Sequence, residues 1–264
     1  MFSRRYFIWF AYHGARYHGW QAQNNAIGIQ QLLQNAMATL LREPVAITGQ
    51  GRTDTGVHAR QMVAHFDFMS ELPVDLAGKL NQLLPPDIRI SHIHEVAPDA
   101  HARYSALNRL YRYYIHRTPD PFLVDRSWYL QSLPNVELIP DAAKMLLQQS
   151  DFGCFAKTHG GNHTNLCTVT RADWVIDTHQ LIFTIQANRF LRQMVRAVVG
   201  SLLAIAQGKK TVEWWTRLLQ DSPERKCGLA APPYGLFLEE VAYPNTIYLN
   251  QSPTPLSLTA KSYG

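Results

Sequence analysis

Two rhythms of apolar residues alternate along this chain. Residues 4–12 (RRYFIWFAY) are aromatic and β-prone and read as a strand, followed by a glycine-punctuated polar loop, HGARYHGWQAQNN. Residues 27–43 carry Ile29, Leu32, Leu33, Ala36, Met37, Leu40 and Leu41 at helical spacing, and Pro44 stops the helix. VAITGQGR rises as a strand into a Gly-flanked loop, and VHARQMVAHFDF continues with strand character. A helix over 73–84 is closed by Pro85 and Pro86, and IRISHIHEV alternates as a strand. The second half repeats the rhythm: a strand at 109–117, a proline-started helix at 140–150 and a strand at 181–188. A long helix over 190–208 ends at Gly208; a helix at 211–221 and a strand at 235–244 follow. The last twenty residues, rich in Pro, Ser and Thr, read as a tail that orders on a partner. This succession predicts an α+β fold of two similar halves, 1–105 and 106–264, with mostly antiparallel sheets and helices on one face. No sequence repeat between the halves is visible.

Composition narrows the class. The 264 residues are 46% hydrophobic and 17% charged, the balance of a globular chain with a substantial core. No apolar run approaches the roughly 18 residues of a membrane span, and the N-terminal segment lacks the greasy stretch and small-residue site of a signal peptide. Three cysteines, few and odd in number, suit a reducing compartment, so a cytoplasmic location is expected. Dinucleotide-binding glycines and a phosphate-cradling Gly-x-x-x-x-Gly-Lys loop are missing, and no cofactor is predicted. The net charge of +5 permits a phosphate-bearing partner. Its distribution says more: arginines and aromatics interleave in RYSALNRLYRYYIHR (103–117) and cluster in RFLRQMVR (189–196), side chains that bind phosphates and stack on bases.

The segment GQGRTDTGVHARQMVAHFDF (49–68) sets Asp54 between Arg52 and a Thr-Gly turn. Asp-Thr-Gly is also the signature of an aspartic protease half-site, but that chemistry needs two carboxylates about 3 Å apart sharing a proton. This chain has one copy, and an arginine two residues away favours an ionised Asp over a shared proton. Two readings remain from the residues: an Asp that caps a turn through its side chain, or a carboxylate used in catalysis.

Six ordered blocks extend the second reading. GRTDTGVHA (51–59) resembles the catalytic loop of tRNA pseudouridine synthases of the TruA family. YHGARYHGWQAQ (12–23), RYSALNRLYRYYI (103–115), DFGCF (151–155), ANRFLRQMVRAVVGSLL (187–203) and APPYGLFLEEVAY (231–243) resemble that family's other motifs in order. The resemblance implies two similar ferredoxin-like halves whose sheets meet around a central cleft. It also implies a homodimer acting on uridines 38, 39 and 40 in the anticodon stem-loop of tRNA. By the same resemblance Asp54 is the essential carboxylate and Arg196 its ion-pair partner. Tyr111 stacks on the target uracil, Arg52 enters the space of the flipped nucleotide or holds its phosphate, and Leu236 lines the apolar side of the pocket. Alternation puts Tyr111 and Tyr113 on one face and Tyr114 on the other, so periodicity does not choose among them. Thr55 replaces the more usual Ala, and Arg189 stands where a smaller residue is frequent.

The reaction conserves atoms, so it needs no metal or redox cofactor. Cys154, His159, His163 and Cys167 supply zinc-type donors, but their spacing is not that of a finger; phosphate or backbone contact suits this loop better. His58 reads as a structural histidine bonded to backbone. A non-catalytic RNA-binding module is the rival from another class, and it has no need of the Arg-Thr-Asp turn.

Overall fold

The computed structural model describes residues 3–23, 26–157, 163–220 and 227–249. The first half contains β1 (Arg4–Tyr12), α1 (Ile29–Leu41), β2 (Thr48–Gly49), β3 (His58–Phe68), α2 (Leu76–Leu83) and β4 (Ile88–Val96). The second contains β5 (Asn108–His116), β6 (Trp128–Tyr129), α3 (Ile139–Lys144), β7 (Val169–Ile176), β8 (Gln180–Ala187), α4 (Met194–Ala206), α5 (Val212–Gln220) and β9 (Leu236–Ala242).

All strands belong to one mixed, mostly antiparallel sheet of order β4-β1-β3-β9-β5-β8-β7, with β2 on β3 and β6 on β5. Each half follows the same path: β4-β1-β3-β2 in the first, β9-β5-β8-β7 in the second. The expected pair of sheets is therefore a single continuous sheet. Its seam is short: β3 and β9 run parallel with only His58↔Phe237 and Ala59↔Leu238 in register. The far end of the same β3 edge is taken by β2, at Ala64 and His65.

In β1, Tyr6 to Phe10 are all buried, because both sheet faces are covered. Phe10 packs on Trp20 on one side. On the other, Phe7 meets the edge of Tyr243 and Trp9 stacks with Tyr248. Residues 245–249 thus return to the first half, bridging Val96 through Tyr248 and accepting the Ala97 amide at Ile247. The first five residues of the expected partner-dependent tail are part of the fold; the remainder lies outside the described residues.

Helix bounds are shorter than periodicity suggests, and local chemistry explains why. Asp75 caps α2, accepting the Gly78 amide at 3.0 Å. α4 begins at Met194, four residues after the expected start, because Gln193 adopts a left-handed conformation (φ 65°). The expected helix 140–150 divides into α3 and a 3-10 turn at Met145–Gln148. β7 escapes sequence pattern altogether: it is an edge strand laced with Arg171 and Asp173, the charged dressing that keeps an open edge from pairing.

One buried charge ties the halves together. Arg109 in β5 is 7% exposed and has no carboxylate partner among the described residues. Its guanidinium donates to Gln50 Oε1 (2.9 Å) and to the carbonyls of Gln50 (3.3 Å), Arg103 (2.6 Å), Ala106 (3.1 Å) and Asn188 (2.7 Å). Gln50 belongs to the first half and Asn188 to the segment leading into α4. Arg109 is therefore a structural strut and not the phosphate contact its place in an arginine-rich stretch suggested.

Arg109→Met should lower stability by about 3–5 kcal/mol, because it strands three segments' acceptors in a buried site. Arg109→Lys should recover only part of that, as one ammonium cannot span the same acceptors. Urea titration of the three proteins checks both expectations. A second expectation concerns pH. Burial, reinforced in each case by a neighbouring histidine, pushes His58, His65 and His92 down to about 4. Each is neutral when folded and takes up a proton on unfolding at intermediate pH. Stability should therefore be full above about pH 6.5 and fall as pH drops towards 4. Unfolding at pH 5 and pH 7, with and without His65→Gln, measures the slope and its origin.

Candidate active site

The loop between β2 and β3 carries Asp54, and four sets of contacts fix its path. Thr53 is buried, with its hydroxyl 2.8 Å from Tyr12 Oη on β1. Gly19, at φ +84°, lets the loop at 13–20 press against this segment; a Cβ there would sit 2.3 Å from the Thr53 carbonyl. The Val57 amide donates to the Asp54 carbonyl at 3.2 Å and Gly56 takes φ +79°, so residues 54–57 form a turn that requires glycine at its third position. His58, buried at the start of β3, accepts the Gly14 amide at Nδ1 (2.9 Å); Nε2 then carries the proton and donates to the Tyr234 carbonyl (2.9 Å). Both ring nitrogens serve the backbone, in keeping with a structural role.

The turn is closed by the backbone carbonyl of Asp54, which leaves the carboxylate for other partners. Oδ2 accepts from Arg196 Nη1 at 3.2 Å, and Arg192 Nε lies 3.9 Å from Oδ1. The Asp54 and Arg196 side chains are 21% and 15% exposed, enough shielding for the pair to matter and enough opening to be reached. Arg192 is more than half exposed.

Arg196 owes its position to α4. All residues of that helix are buried except Arg196 and Gly200, which lie one turn apart on one face. The segment at 230–231 crosses that face so closely that a Cβ on Gly200 would be 3.0 Å from the Ala231 amide. Arg196 Nε donates to the Ala231 carbonyl (2.7 Å), and the Ala231 amide donates back to the Arg196 carbonyl (2.9 Å). With Nε committed, one edge of the guanidinium is left to face Asp54. The same strand of chain then follows the Asp54 loop: Pro233 lies against Gly56, the Tyr234 carbonyl holds His58, and Phe237 stacks on the His58 ring at 4.4 Å.

Tyr111 is close enough to Asp54 for the carboxylate's charge to act on its phenol. Burial, with the Asp54 charge as a smaller contribution, pushes its phenol up to about 12, so it is neutral. Its ring meets the edge of Phe190 at 5.2 Å. Tyr113 shares its face of β5 and is fully buried, whereas Tyr114 points the other way and donates to Glu239 at 2.8 Å. Arg52 is exposed, two residues before Asp54, with no ion pair among the described residues. Leu236 is buried opposite Tyr113 in the β5–β9 register. The structure thus pairs Asp54 with Arg196, sets Tyr111 within reach of the Asp54 charge, leaves Arg52 exposed, and buries Leu236 beside Tyr113. Arg192, Thr53, Tyr12 and Ala231 escaped the sequence reading. Only Arg192 had a visible signal, four residues before Arg196 in RFLRQMVR.

Among the described residues no group of three or more His, Cys, Asp or Glu is placed to hold a metal. Cys154 and Cys167 are both buried, and burial pushes the Cys167 thiol up to about 11. His159 lies outside the described residues. No helix among the described residues is long and apolar enough to cross a membrane.

Comparison with known proteins places this arrangement. A family model described as tRNA pseudouridine synthase matches residues 142–244, the span that supplies Arg192, Arg196 and β9. The tRNA pseudouridine synthase A of Bacteroides fragilis is 45% identical over 251 residues, covering 94% of this chain and all of the relative. That of Bacteroides thetaiotaomicron is 43% identical, covering 94% of both chains, and that of Pseudoalteromonas atlantica 37% identical, covering 90% and 92%. Similarity of this extent spans both halves and both partners of the Asp54–Arg196 pair, and the chain belongs to the tRNA pseudouridine synthase A family.

Proposed function

We propose that this chain isomerises uridine to pseudouridine in tRNA, with Asp54 as the essential carboxylate. The observation that carries the reading is the shielded ion pair between Asp54 and Arg196, 142 residues apart, in a chain of this family. The reaction breaks the bond from ribose C1′ to uracil N1 and joins C1′ to C5; the proton on C5 leaves and N1 gains one. An ionised carboxylate serves it either as a nucleophile or as a base towards the ribose. Arg196 aims Asp54 and supplies its counter-charge. Tyr111, neutral and within reach of the Asp54 charge, offers an aromatic face to an extruded base. Arg52 fills the space of the flipped nucleotide or takes its phosphate, and Leu236 backs the apolar wall.

The finer reading follows the family. Each half is ferredoxin-like, an assignment supported by the order β4-β1-β3-β2 and its counterpart β9-β5-β8-β7. The halves divide near 105, and the cleft lies where β3 meets β9. The substrate is the anticodon stem-loop with uridines 38, 39 and 40 as targets, bound across a homodimer in the cytoplasm.

Tritium release from a tRNA transcript labelled at uridine C5, measured with chelator present, tests the reaction. The wild-type chain should release tritium and Asp54→Asn should release none while still binding RNA. Binding without release by the wild type would leave a non-catalytic RNA-binding module. Arg196→Ala should lose roughly 100-fold or more in turnover, because the carboxylate loses its orientation as well as its counter-charge. RNA affinity should change far less. Equal turnover by that variant would remove Arg196 from the mechanism.

A further inference from the structure

Where the first half passes into the second, the backbone is held rigid around two outward side chains. His101 donates its amide to Ser105 Oγ (2.9 Å), and the Ser105 amide returns to the His101 carbonyl (2.9 Å). His101 Nδ1 accepts from the amides of Arg103 (3.1 Å) and Tyr104 (3.4 Å). Ala102 between them is fully buried, its amide on His65 Nδ1 (3.2 Å) and its carbonyl accepting from Tyr243 Oη (2.6 Å). Arg109 takes the carbonyls of Arg103 and Ala106. Despite this anchoring, Tyr104 is 75% exposed. The His101 ring centroid lies 4.4 Å from that of Tyr104, and the Arg103 guanidinium carbon lies 5.5 Å from the Tyr104 ring centre.

An exposed tyrosine on a soft loop needs no explanation, but one on a turn held by eight hydrogen bonds is presented. Its partners are an imidazole and a guanidinium, the side chains that stack unpaired bases and meet their phosphates. Its place is also informative. The guanidinium that holds the Arg103 carbonyl also holds Gln50, four residues before Asp54, so the turn adjoins the Asp54 loop. Because the turn is ordered before binding, little conformational entropy is lost when a base lies on it.

We propose that His101, Arg103 and Tyr104 form a second nucleotide platform. It stacks an unpaired base flanking the target uridine and sets Arg103 on that nucleotide's phosphate. The proposal rests on the RNA-isomerase reading and adds to it a binding subsite away from Asp54.

Affinity for an unmodified tRNA transcript, measured by fluorescence anisotropy across a salt series, tests it alongside tritium release and light scattering. Tyr104→Ala should weaken binding about 5- to 100-fold, the worth of one base–aromatic stack. Tyr104→Phe should restore binding, and Tyr104→Leu, apolar but without a π face, should not. Arg103→Ala should reduce the slope of log affinity against log salt by about one. Three results would each overturn the platform: Tyr104→Ala binding within twofold of wild type, Leu restoring as well as Phe, or lost affinity that tracks a changed oligomeric mass. If the wild type releases tritium and Tyr104→Ala behaves like it, the platform alone fails. If the wild type releases none, the isomerase reading fails, and the platform stands or falls on affinity.

Discussion

The site depends on a seam between two halves that touch through very few strand contacts. β3 and β9 share two registered pairs, yet across that seam a carboxylate and a guanidinium are held at 3.2 Å. Sheet hydrogen bonding alone is too sparse to fix such a distance. The segment from Ala231 to Phe237 does it by touching Arg196 and the Asp54 loop almost residue by residue. Ala231 clamps Arg196, Pro233 lies on Gly56, Tyr234 holds His58 and Phe237 stacks on it. A chain end that reaches back to stitch its own beginning makes the two halves interdependent, and neither half contains the site.

Around that seam charge is distributed with economy. The carboxylate faces two arginines, one clamped and shielded, one exposed. The clamped one supplies orientation, since its Nε is spent on a backbone carbonyl and only one edge remains free. The exposed one is open to exchange partners with an incoming phosphate. Two groups beside the loop are neutral: His58 by burial, with both nitrogens on backbone, and Tyr111 by burial and by the charge of Asp54. Among the described residues, the ion-pair partners of this carboxylate are both arginines.

The legibility of this molecule in its sequence follows the range of the forces involved. Local patterns gave most elements: the run YFIWF in β1, the helical spacing of Leu33 and Met37 in α1, the alternation of Tyr111, Tyr113 and Tyr114 in β5. β7 failed because an edge strand mixes in charges that blur its period, and the onset of α4 failed because nothing at Gln193 announces a left-handed residue. The single continuous sheet was hidden for a different reason: His58 and Phe237 pair across the whole chain, and no pattern of residue types encodes such a pairing. In the site, Asp54, Arg196 and Tyr111 came from ordered motifs, but the Ala231 clamp acts through backbone atoms, which any residue type supplies. Arg109 shows the opposite failure. Its neighbours made it look like a phosphate ligand, while its burial was set by Gln50 and Asn188, distant in sequence.

Arg109 also bears on why the two arginine-rich stretches differ. In the stretch 189–196, Arg192 and Arg196 serve the carboxylate directly. In the stretch 103–117, the buried Arg109 spends all its bonds on the protein, and in doing so fixes the backbone from which Arg103 and Tyr104 face outward. A cation buried among carbonyls is an expensive way to hold a loop, since its desolvation must be offset by every acceptor it gathers. The arrangement makes sense when several segments must be held at once: the Asp54 loop through Gln50, the approach to α4 through Asn188, and the turn at 103–106. Only a planar group with several fixed donors can join them at a single point, which is why this position takes arginine and why the geometry at Asp54 and the exposure of Tyr104 have a common support.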